Sequence, residues 1–130
     1  MSPTVRTADH IDVVDVTELV EREMPSVDRG VCTVFVEHTT AALSINEAEP
    51  RLLEDIEAFV AELSAPDGWG HDALDGNADS HLRSSLLGRS VTVPIRDGEL
   101  ALGRWQSILL IECDGPRERS LSVTVTPSVE

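Results

Sequence analysis

The segment "RSLSVTVTP", Arg119 to Pro127, alternates with period two, and Leu121, Val123 and Val125 share one face only if the chain is extended. A half-buried strand of this kind cannot cover its apolar face alone, so it dictates partners. They are present. "GVCTVFVEH" after Gly30, "SVTVPI" from Ser90 and "RWQSILLIEC" from Arg104 are rich in β-branched and aliphatic residues, and "AALSINE" can continue as another extended segment. Asp97-Gly98 and Gly115-Pro116 supply turns between the later strands.

Helical periodicity appears between these runs. "EPRLLEDIEAFVAELSAP" carries one stripe of Leu52, Leu53, Ile56, Phe59, Val60 and Leu63, with Pro50 suited to the first turn. "DVTELVEREM" has Asp15 three residues before Glu18, a capping-box pattern, and "SHLRSSLLG" reads as a short helix closed by Gly88. "DGWGHDALDGNAD" is a loop. The predicted class is α+β with mostly antiparallel pairing and two to three helices, in one domain spanning 1–130.

Composition narrows the function. The net charge is −14, and all ten basic residues are arginine. Such a surface repels nucleic acid and anionic membrane, and it resembles the acid-rich surfaces of proteins from salt-loving organisms. Without lysine there is no Schiff-base chemistry and no P-loop. Cys32 and Cys113 lie in apolar runs without partner spacing, which predicts reduced core thiols; no apolar run reaches membrane-spanning length, and the N-terminus lacks a signal-peptide pattern. The expected location is the cytoplasm.

Chemistry concentrates in the histidines. His38 ends the first long strand, in phase with Val34 and Val36; His71 lies in the glycine-rich loop, and His81 on the helix after it, one turn from Asn77. Three imidazoles and a water make a catalytic zinc shell, although their wide separation matches no local ligand signature. Asn46 and Glu47 cap the proline-started helix or act at a site, Glu47 as base or ligand. Glu112 shares a strand face with Ile108 and Leu110, so it needs a partner or a place at the sheet's rim. "DGPR", Asp114 to Arg117, is a turn whose arginine can hold phosphate. Trp69 and Trp105 read as packing residues.

Taken in order, "HTTAALSINEAEPRLLEDI", "GHDALDGNADSHLRSSLLG", "SVTVPIRDGELALGRWQ" and "ECDGPRERSLSVTV" resemble the YjbQ-like family, described as secondary thiamine-phosphate synthases, from about Val31 to Val125. The resemblance implies a compact α+β domain with a β-sandwich-like core, a homotrimer, and a polar cleft containing His38, His71 and His81. Asn46, Glu47, Asp72, Asn77, Gln106, Glu112, Asp114 and Arg117 match the family's other polar positions. Arg104 and the Trp-Gly pair before His71 depart from its pattern, which puts substrate entry in question.

The implied reaction joins a hydroxymethylpyrimidine diphosphate to a thiazole phosphate and releases pyrophosphate. On that reading His38, His71 and His81 hold a divalent ion, zinc in the first place, with magnesium accompanying a diphosphate substrate as the other form. Asp72 and Glu47 support the ligands or exchange protons, and Arg117 with Asn77 holds the phosphate groups. A metal-dependent hydrolase of a phosphate or carbonyl substrate, and a non-enzymatic trimeric metal- or ligand-binding protein, are the alternatives.

Overall fold

The computed structural model describes residues 2–129. Its elements run β1 (Thr4–Arg6), β2 (Asp12–Asp15), α1 (Thr17–Glu23), β3 (Gly30–Val36), β4 (Ala41–Asn46), α2 (Pro50–Glu62), a 3-10 turn (Gly70–Ala73), α3 (Ala78–Leu87), β5 (Ser90–Arg96), β6 (Glu99–Leu100), β7 (Ser107–Glu112) and β8 (Glu118–Pro127). All strand pairs are antiparallel, in a five-stranded sheet ordered β1-β8-β3-β5-β6 and a three-stranded sheet ordered β2-β7-β4.

The inward residues of β3, β5 and β8, among them Val34, Val36, Ile95 and Leu121, meet Ala41, Leu43, Ile108 and Leu110 from the smaller sheet, with Val16 and Val20 closing the end. The opposite face of the smaller sheet, Val13, Ala42, Leu109 and Ile111, packs on Val60, Leu53 and Ile56 of α2. β7 is therefore covered on both sides, which explains why "ILLI", Ile108 to Ile111, is a continuous apolar run rather than an alternating one. Layers of sheet, sheet and helix make the α+β sandwich that the sequence suggested. Cys32 and Cys113 are buried free thiols, and burial pushes Cys113 up to about 12.

Three local expectations change. Asp15 forms no capping box; its Oδ1 accepts from the Thr17 N–H and hydroxyl at 3.0 and 2.6 Å, a tight Asx-type turn that suits an aspartate at a strand's end. The α2 stripe is narrower than its periodicity, since Leu53, Ile56 and Val60 meet the sheet while Phe59 stays 61 % exposed. Trp69 and Trp105 are 42 % and 63 % exposed, so neither is a core residue.

Glu112 is buried and finds its partner across the sandwich. Arg119, in phase with Leu121 on β8, donates through Nε to Glu112 Oε1 at 2.8 Å and through Nη2 to Oε2 and to Thr40 Oγ1. Thr7 and the Asp114 N–H also donate to the carboxylate, at 2.8 and 2.9 Å. Gly115 completes the packing: a Cβ there would lie 2.3 Å from Asp9 O and 2.7 Å from Glu112 Cγ. Burial alone pushes the Glu112 carboxyl up, but the hydrogen bonds from Arg119, Asp114 and Thr7 and the charge of Arg119 outweigh it and hold it below its ordinary 4.5.

A depressed folded value means that this stabilisation is full above 4.5 and is lost as pH falls through the folded value. Urea unfolding of Arg119→Met should show a loss of about 3–5 kcal/mol from the unpaired buried carboxylate, while Glu112→Leu/Arg119→Met recovers most of it and removes the acid-limb component. A single variant as stable as wild type at pH 7 would show that the pair does not hold the sheets together.

Candidate functional site

The link from β3 to β4 crosses from one sheet to the other, and its backbone carbonyls are tied down by arginine. Arg89, just past the α3 terminus at Gly88, donates through Nε to His38 O at 3.2 Å and through Nη2 to Thr39 O at 2.9 Å. Ser84 on α3 also donates to Thr39 O at 2.6 Å, and Ser80 donates to Cys113 O at 2.6 Å. The helix thereby clamps both the β3–β4 link and the β7–β8 turn. Between them opens a cleft of about 1080 Å³ whose lining includes His38, Asn77, His81, Arg89, Asp114 and Arg117.

His38 is held from behind: the Ser120 N–H donates to its Nε2 at 2.8 Å, so the neutral ring carries its proton on Nδ1. Burial lowers its pKa first and the nearby Arg119 charge second, with Glu112 and Glu37 opposing. The Nε2 nitrogen is thus committed to the β8 backbone. His81 lines the cleft, and the His71 ring meets it edge to face with centroids 4.9 Å apart at 85°. His71 Nε2 lies 3.5 Å from Asp75 Oδ2. Among the described residues no group of three or more histidine, cysteine, aspartate or glutamate side chains converges as a metal shell. The structure therefore does not bring the sequence's His38, His71 and His81 into one ligand set, because the β3–β4 link turns His38 onto the β8 backbone.

The acidic candidates separate in the same way. Asp72 Oδ2 accepts from the Trp69 N–H at 3.1 Å and Oδ1 from the Ala78 N–H at 3.2 Å, so its carboxylate ties the 3-10 turn to the start of α3. Glu47 follows Asn46, which pairs with Ser107 at the end of the β4–β7 ladder opposite Ala41 and Glu112. The length of β4, roughly 17 Å, separates it from this chain's cleft. Gln106 belongs to that far end and accepts from the Gly103 N–H at 2.7 Å. Arg104 stacks 4.7 Å over Trp105, while the Trp69 indole donates to Ala65 O at 3.0 Å; neither departure from the family pattern lines the cleft.

Asp114 organises one wall of the cleft. Arg117 donates through Nε to Asp114 O at 2.7 Å and through Nη2 to Asp114 Oδ2 at 3.0 Å, while Asn77 Nδ2 donates to the same oxygen at 3.0 Å. Among the described residues, Nη1 of Arg117 and of Arg89 has no hydrogen-bond partner. Sequence reading missed Asp75, Arg89 and Arg119 as lining residues. A signal existed for Arg119 alone: an arginine in phase with the apolar face of a strand must be buried and paired.

The family model for UPF0047 protein YjbQ-like matches residues 1–128. The chain belongs to the YjbQ-like UPF0047 family. It is 51 % identical over 125 residues to a UPF0047 protein of Archaeoglobus fulgidus, covering 95 % of this chain and 98 % of the relative. It is 33 % identical to the Bacillus subtilis UPF0047 protein YugU, covering 89 % and 90 %. Among solved structures, the hypothetical protein APE1520 of Aeropyrum pernix K1 superposes with a TM-score of 0.93 at 44 % identity, covering 98 % of each chain. SSO2532 of Sulfolobus solfataricus, a YbjQ-like protein of unknown function, gives 0.91 at 38 %, covering 98 % of this chain and 96 % of that one. In this YjbQ-like chain no helix among the described residues is long and apolar enough to cross a membrane.

The commitment of His38 has a spectroscopic consequence. Nitrogen-detected NMR should find its neutral ring protonated at Nδ1 and titrating below the ordinary 6.5, with Nε2 shifts unmoved by added zinc. A zinc-bound Nε2 would overturn that assignment.

Proposed function

We propose that this protein is an enzyme acting on a small phosphorylated substrate in the cleft between the β3–β4 link, α3 and the β7–β8 turn. The observation that carries the reading is the pair of guanidinium groups, Arg89 and Arg117, each anchored through its other nitrogens with Nη1 open, in a chain of net charge −14. Arg89, Arg117 and Arg119 line this cleft together with the carboxylates Glu37, Asp75, Asp114 and Glu118, and phosphate oxygens match the donors left open on Arg89 and Arg117. His81 is the cleft's proton-handling candidate, and His38 stays neutral.

The reaction that the resemblance implies, thiamine-phosphate synthesis, suits such a cleft. A bond forms from the thiazole nitrogen to the pyrimidine methylene carbon, the carbon–oxygen bond breaks, and pyrophosphate leaves with the electron pair. Guanidinium charge stabilises that leaving group. Glu47 takes no part within one chain; in the homotrimer that the resemblance implies, only a neighbouring copy could supply it. A resident zinc on the three histidines is not supported by the donor geometry, so the divalent ion in this proposal is magnesium arriving with a diphosphate. Hydrolysis of a phosphate ester is the second reading, favoured by the cleft's volume of about 1080 Å³, which leaves room for water beside a small substrate.

Incubation with hydroxymethylpyrimidine diphosphate and thiazole phosphate, and separately with a panel of phosphate monoesters, distinguishes the two by product mass. Arg117→Met and Arg89→Met should each lower kcat/KM at least about tenfold, and His81→Ala should lower kcat by about 100-fold or more. Absence of turnover on every substrate, together with absence of pyrophosphate binding, would remove the enzymatic reading. For the assembly, light scattering should give about three chain masses in high salt, whereas a clean monomer would refute the trimer.

A further inference from the structure

We infer that His38 is a neutral hydrogen-bond donor to the anion in the cleft, its Nδ1–H meeting a ligand oxygen beside the guanidinium groups of Arg89 and Arg117; this rests on the reading of the cleft as a phosphate site. A backbone N–H can only donate. The Ser120 N–H at 2.8 Å therefore obliges His38 Nε2 to accept, and the ring's one proton is left on Nδ1. An imidazolium would have no lone pair to offer Ser120. One backbone contact thus sets both the tautomer and the charge of the ring.

The Nδ1–H is open to solvent. No hydrogen bond among the described residues uses it, and it is not a buried atom, because Asn77 Oδ1 is the only buried side-chain nitrogen or oxygen among them without a partner. The solvent that reaches it is that of the cleft, since residues 35–40 of its own segment and 116–119 of the segment that its Nε2 touches all line that space. Arg89 holds the same spot: its Nε donates to the His38 carbonyl at 3.2 Å, and Arg117 lies three residues before Ser120. The charges acting on the ring are of both signs, Arg119 and Arg117 against Glu112 and Glu37. Glu37 and Asp114 also share the lining with the arginines, so net charge alone does not place an anion here and fixed donors must. A neutral N–H aimed by a backbone contact does so without adding a charge for Glu37 to capture. A terminal phosphate group presents three oxygens, one for each of these donors, whereas a carboxylate presents two.

Histidine-ring NMR of the isotope-labelled full chain, titrated with inorganic phosphate and with pyrophosphate, tests this beside calorimetry of the same two probes. On saturation the His38 Nδ1–H signal should move downfield and exchange more slowly with water, while Nε2 keeps the shift of an unprotonated acceptor. His38→Gln, whose amide oxygen can still accept from the Ser120 N–H but which puts no donor in the place of Nδ1, should bind phosphate about tenfold more weakly, the value of one hydrogen bond to a charged acceptor. The Ser120 amide should stay protected from exchange in that variant, which a merely structural role for His38 would not combine with weaker binding. Calorimetric binding with the Nδ1–H signal unmoved would overturn the donor role and leave the phosphate reading standing. So would protonation of both ring nitrogens in the complex, or a His38→Gln variant that binds as tightly as wild type. If neither probe binds, the phosphate reading fails and this inference falls with it. The wild-type spectra decide by themselves should the variant not fold.

Discussion

The buried Arg119–Glu112 pair is the interaction on which the rest of the architecture depends. It joins β8 of the larger sheet to β7 of the smaller one, and it draws in Thr7 beyond β1 and Thr40 before β4. Two charges taken out of water are costly unless every remaining lone pair and proton is satisfied, and here the carboxylate receives arginine, hydroxyl and backbone donors together. The consequence is geometric. The strand ends that flank the cleft are held in one relation to each other, and His38, two residues from Thr40, is locked onto the N–H next to Arg119.

A second set of arginine contacts transfers that order to the helical side. Arg83, itself buried, donates to the carbonyls of Val60, Ala61 and Ser64 and pairs with Asp79, so the end of α2 is tied to the first turn of α3. Arg89 and Ser84 then bind α3 to the β3–β4 link. A chain without lysine uses the planar, multiply donating guanidinium for internal carpentry, which a compact ammonium would do less well. Nη1 of Arg89 and of Arg117 remains open at the surface of this network, and the proposed anion site rests on that pair.

Much of the fold was legible because burial and periodicity act locally. The alternation of β8 and the unbroken apolar run of β7 follow from one covered face and two covered faces. Glu112 announced its need for a partner by sitting in phase with Ile108 and Leu110, and Arg119 could have been read in the same way from Leu121. The candidate site was legible in part. Asn77 and His81 reach one cleft because one helical turn separates them. The role of Asp72 was hidden, since its two backbone partners are set by how the 3-10 turn meets α3.

The sequence by itself determined the class of fold, the identity of the longer strands and of the three α-helices, the free thiols and the acidic composition, since each follows from residue type and spacing over a few positions. Tertiary structure alone decided which polar residues meet. It turned His38 onto the β8 backbone, left Glu47 at the far end of β4 from the cleft, and brought Asn77 and Arg117 onto Asp114 in the cleft that Arg89 also lines. Such pairings depend on how strands from two sheets are set against one another, and no local pattern encodes a hydrogen bond between Ser120 and a histidine 82 residues earlier.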